Sequence, residues 1–110
     1  MIIPDKAGFI NGRHFSSYAL EAMALRRAGR VDEAEKLLLA LVEAMEADAR
    51  ANNWSVAPWY YKQLAILYNK RQDTDSELGI LERYEGLNHQ GGGPRPDLIE
   101  RLTEVRRRRQ

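Results

Sequence analysis

The sequence predicts an all-α chain, and two observations carry that expectation. Apolar residues recur at three- and four-residue spacing through five stretches, and no stretch alternates apolar with polar as a half-buried strand would. Between the stretches lie residues that start or stop helices: Gly29, Asn52-Asn53, Pro58, Thr74, Gly86 and a Gly/Pro-rich run over 88–96. At 110 residues the chain fits one domain, burying roughly two thirds of the surface its unfolded form exposes.

Residues 1–14 hold Pro4, Gly8, Asn11 and Gly12 without a sustained period and read as an irregular lead-in, with Ile3, Phe9 and Ile10 available to pack on the first helix hairpin. Ser16 or Ser17 is the expected cap of the first helix, whose inner stripe is Phe15, Tyr18, Ala22 and Leu25. Gly29 ends it, because the residue after a helix commonly needs a positive φ. Asp32 and Glu35 have the spacing of a capping box for a second helix running to about Ala51. Its broad apolar face is Val31, Ala34, Leu37, Leu38, Leu41, Val42 and Met45.

Pro58 suits the first turn of a third helix, where no N–H is needed, with Tyr61, Leu64, Ala65 and Tyr68 inward. Thr74 and Glu77 form the next expected capping box, leading to Leu78, Leu81 and Tyr84, with Gly86 as the stop. After the 88–96 linker a last helix is expected from Asp97, boxed with Glu100 and burying Leu98, Leu102 and Val105. Its tail of Arg106 to Arg109 extends past the last apolar position.

Residues 18–42 and 61–84 can be superposed. Tyr18, Ala22, Leu25, Gly29, Asp32-Glu33-Ala34, Leu38 and Leu41 correspond to Tyr61, Ala65, Tyr68, Gln72, Asp75 to Glu77, Leu81 and Tyr84. This order resembles the tetratricopeptide repeat (TPR), and Ala28 to Ala34 is similar to that family's inter-helix turn. The resemblance covers about 15–87, with an offset of 43 residues instead of the usual ~34, and with Glu77 where a small residue is expected. It implies two antiparallel helix hairpins of TPR type plus a C-terminal capping helix over 97–110.

Composition narrows the function. There is no cysteine, which excludes disulfides and thiolate metal sites and suits a cytoplasmic location. No run approaches the length of a membrane span, and Pro4-Asp5 interrupts the opening apolar residues, so neither a membrane nor a leader segment is expected. His14 and His89 have no helically spaced partner, and Gly91-Gly92-Gly93 lacks the Lys-Ser/Thr of a phosphate loop. No catalytic constellation, metal or cofactor is therefore expected.

In repeats of this type the first helix of each pair lines a concave surface. The resemblance then implies a groove of Met23, Arg26 and Arg27 from the first helix with Trp59, Lys62, Ile66, Asn69 and Lys70 from the third. That surface is basic with apolar spots and fits a protein or peptide partner carrying acidic residues. It lacks the Lys-and-Asn pair with which some family members clamp a terminal carboxylate, since Met23 stands where the Asn would be.

The net charge of +1 divides unevenly, residues 91–110 holding six arginines and three acids. Arg106, Arg107, Arg108 and Arg109 therefore carry a second reading, contact with nucleic-acid phosphates. No aromatic residue adjoins them to stack on a base. Trp54, Trp59 and Tyr60 lie close in sequence, and exposed together they would favour a homodimer over a monomer.

Overall fold

The computed structural model describes residues 7–87, 89 and 93–109. Their helices and one small hairpin fall into two compact units, 1–54 and 55–110. The fold is all-α, as the periodicity predicts.

The first unit opens with a correction. Residues Phe9–Ile10 (β1) and Arg13–His14 (β2) pair antiparallel, with Phe9 opposite His14. Asn11 and Gly12 make the two-residue turn at φ 51° and 80°, the doubly left-handed geometry that matches strand twist. Ile10 is buried and Phe9 half-buried, whereas Ile3 lies outside the described residues. The hairpin approaches the long second helix so closely that a Cβ on Gly8 would come within 2.9 Å of Asp48 Cγ.

The turn at Phe15–Tyr18 is a 3₁₀ helix running into α1 (Ala19–Arg27). Its cap is His14, whose imidazole accepts from the Ser16 N–H at 3.3 Å, and not Ser16 or Ser17. Helix α2 (Val31–Asn52) starts one residue before the expected Asp32, which falls in the first turn and complements the helix dipole there. Its stop is the expected one, with Asn53 left-handed at φ 54°. Leu38, Leu41 and Val42 are fully buried, each worth roughly 1.5–3 kcal/mol of transfer free energy.

The second unit holds α3 (Pro58–Lys70), α4 (Thr74–Glu85) and α5 (Pro96–Arg109), with α4 packed on both the others. Tyr61, Leu64 and Ala65 from α3, Leu81 and Tyr84 from α4, and Leu98, Leu102 and Val105 from α5 are buried. The Tyr61 and Tyr84 rings meet at 5.1 Å. Asp73, not Thr74, caps α4 by accepting from the Ser76 N–H at 3.1 Å, and those Ser76 hydrogen bonds hold its carboxyl below the usual range. At α5 the Arg95 carbonyl accepts from Leu98 and Ile99, so Asp97 lies in the first turn and does not cap it. Of the expected 88–96 linker, residues 88 and 90–92 lie outside the described residues, and Pro96 already belongs to α5.

The turns between α1 and α2 and between α3 and α4 share one geometry. Gly29 (φ 78°) and Gln72 (φ 59°) occupy the same left-handed place after the helix. In each the next N–H reaches back, Arg30 to the Leu25 carbonyl at 3.0 Å and Asp73 to the Tyr68 carbonyl at 2.9 Å.

Candidate interaction surfaces

In the first unit the outward side of α1 combines apolar and cationic groups. Met23 and Arg26 of the expected stripe are half-buried, while Arg27 is exposed and makes no ion pair among the described residues. Beside them runs a second row absent from the sequence expectation, Leu20, Ala24 and Ala28, with Leu20 85% exposed. Its signal is the i, i+4, i+8 spacing on the side opposite buried Tyr18 and Ala22. Next to this row Glu21, Ala24, Leu25, Ala28 and Arg30 line a shallow depression of about 430 Å³. Its charged residues are already engaged: Glu21 pairs with Arg13 at 2.8 Å and Arg30 with Glu33 at 2.6 Å.

In the second unit the α3 stripe is divided between internal and outward use. Trp59 and Ile66 are half-buried, and the Trp59 ring stands edge-on to Tyr60 at 5.0 Å. Burial pushes the Tyr60 phenol above its ordinary range. Lys62 pairs with Asp97 at 3.2 Å, and the Asn69 amide donates to Glu77 Oε1 at 3.3 Å. Burial pushes the Asp97 carboxyl up, but the Lys62 hydrogen bond, the Arg95 and Lys62 charges and the Leu98 N–H outweigh it, leaving the group below the usual range. Lys70 is exposed and unpaired among the described residues.

A cleft of about 490 Å³ is lined by Asn69, Asp97, Glu100, Arg101, Glu104 and Arg108. It holds three carboxylates and two guanidiniums, so this part of the second unit is not the basic surface the α3 residues alone suggest.

The arginine tail is tied into the second unit, which its sequence does not show: α5 continues to Arg109, within the expected 97–110 helix, and each of the four arginines meets a carboxylate. Arg106 donates to Glu85 at 3.1 Å and Glu82 at 3.3 Å, which raises its guanidinium pKa further. Arg107 meets Glu104 at 3.0 Å, Arg108 meets Glu77 at 3.1 Å, and Arg109 meets Asp75. Glu77 is 1% exposed and also receives Arg101 at 3.3 Å. Helix α4 carries four carboxylates against one arginine, and Arg101, Arg106, Arg108 and Arg109 of α5 are their complement.

Both histidines are held structurally. The His14 ring lies 4.3 Å from Phe15. His89 Nε2 donates to the Tyr84 carbonyl at 2.8 Å, while the Tyr84 hydroxyl accepts from the Arg95 N–H at 2.8 Å. Among the described residues no three His, Asp or Glu side chains gather to hold a metal ion, and no helix is long and apolar enough to cross a membrane. Trp54 is 51% exposed at the end of the first unit. Comparison with family models, curated proteins and solved structures returns no match, so the functional reading rests on these surfaces alone.

Proposed function

We propose that this chain is a non-catalytic protein-interaction module whose binding faces are the outward side of α1 in the first unit and the outward side of α3 in the second. The observation that carries the reading is the α1 face. A large apolar side chain, Leu20, stands almost fully in water next to Ala24, Ala28 and an Arg27 unpaired among the described residues. On α3, Lys70 adds a similarly unpaired cation one turn from half-exposed Ile66, with Trp59 at the other end of the same helix. An acidic segment with apolar residues fits either face.

The alternative, a nucleic-acid accessory acting through Arg106 to Arg109, has weaker support. Those guanidiniums already face Glu82, Glu85, Glu104, Glu77 and Asp75, so a phosphate would have to displace a carboxylate from each.

A photo-crosslinking side chain placed at Ala24 or at Lys70 tests the proposal in the native cell. The same defined protein should be captured from both positions, and not from Glu43 on the exposed side of α2. Capture that is equal at all three positions, or that yields RNA or DNA, would remove the proposal.

A further inference from the structure

The chain presents two helices with very different outer faces, α1 and α5. The solvent side of α5 carries Glu100, Thr103, Glu104 and Arg107, all polar and all exposed. The solvent side of α1 carries Leu20, Ala24 and Ala28, also exposed. The outer face of α5 is thus polar, whereas that of α1 keeps an apolar row in water.

We propose that the outer face of α1 is the docking strip for one amphipathic helix of a partner, apolar along its contact ridge and acidic on its flank. The inference deepens the proposed function by naming the partner class, and it rests on that reading.

Shape favours a helix as the occupant. Leu20, Ala24 and Ala28 form an i, i+4, i+8 ridge, the row that interdigitates with the same row of a second helix at about −50°. Two alanines in that row allow a close approach of the backbones. The adjoining depression of about 430 Å³ gives an apolar side chain of the incoming helix a place to enter. A helix also satisfies its own backbone hydrogen bonds, and α1 has no free backbone row with which to pair a strand.

Charge selects the flank. Arg13 neutralises Glu21, and Glu33 neutralises Arg30. Among the described residues Arg27 is thus the uncompensated charge beside the ridge, and an acidic side chain is its complement. A second copy of this chain fits poorly, because its own ridge brings another Arg27 and a Glu21 already held by Arg13.

Two synthetic helical peptides of equal length supply the test, each with leucines at i and i+4. One has glutamates on its flank and the other has lysines. Titrated into the isotopically labelled full chain, the acidic peptide should shift amide signals within residues 19–30 saturably. The lysine peptide should bind at least about tenfold more weakly. Arg27→Glu should reverse that order, and Leu20→Ser should weaken both peptides, with the circular dichroism spectrum unchanged because both positions are exposed.

Equal affinity for the two peptides, shifts confined to other helices, or concentration-dependent self-association that covers Leu20 would each overturn the inference. If the peptides fail while the crosslinks from Ala24 and Lys70 still capture one protein, the partner class is wrong and the module reading stands. If both fail, both fall.

Discussion

Ala34 and Glu77 occupy the same place in their respective hairpins. Each is the fourth residue of its helix, and each N–H closes the first helical hydrogen bond, Ala34 to the Arg30 carbonyl at 3.0 Å and Glu77 to the Asp73 carbonyl at 3.1 Å. They are equally buried, at 0% and 1% exposure. A methyl group needs nothing from its surroundings there. A carboxylate without countercharges would lose several kcal/mol of hydration. The second unit supplies them from α5, as Arg101 and Arg108, with the Asn69 amide as a third donor. The difference explains why the arginines sit where they do: they complete a helix pair that placed an acid in its interior.

The comparison is broken most severely by giving the first hairpin the acid without the arginines. Ala34→Glu should lower stability by about 4 kcal/mol, through an unpaired buried charge and the loss of close packing. The shift of the urea midpoint at constant slope measures it, and an unshifted midpoint would show that the two positions are not equivalent. The reverse experiment takes the arginines from the acid. Arg101→Met with Arg108→Met should cost about 3 kcal/mol, the smaller figure reflecting guanidiniums that are partly in water already. Adding Glu77→Leu should recover much of that loss, since apolar groups of similar volume can replace a buried ion pair. A double substitution that leaves the midpoint unmoved would separate the burial of Glu77 from α5.

Local pattern in the sequence locates every helix, because each apolar stripe repeats within four residues and each stop is a local preference. Asn52-Asn53 and Pro58 mark boundaries that the structure reproduces. The β1–β2 hairpin leaves only a turn signal in Asn11-Gly12, because two-residue strands are too short to show alternation, and residues 1–14 therefore read as irregular. The cap of the first helix is hidden because the hairpin brings His14 to it, which no local serine rule anticipates. The arginine tail is hidden for a different reason. Its carboxylates on α4 lie 21 to 34 residues upstream, so the pairing depends on tertiary packing. The clue present in the sequence is that α4 is as acidic as the end of α5 is basic. On α1, the basic stripe draws the eye from the apolar row beside it.

The smallest effect sharpens the equivalence of the two turns. Gln72 holds the left-handed place that Gly29 fills without strain, so Gln72→Gly should raise stability by about 1 kcal/mol. A thermal melt reads it directly. A fall in melting temperature would mean that the Gln72 side chain supports the turn in a way its backbone does not reveal.

The claim that α1 and α3 present the binding faces is tested most directly by titrating the protein that co-purifies from the native cell. The wild type is compared with Arg27→Glu combined with Lys70→Glu at matched salt. Both positions are exposed and unpaired among the described residues, so the fold should survive. Loss of attraction plus new repulsion toward an acidic segment should weaken binding by about tenfold or more. Equal affinities for the two proteins would contradict the account and move the binding surface away from both helices.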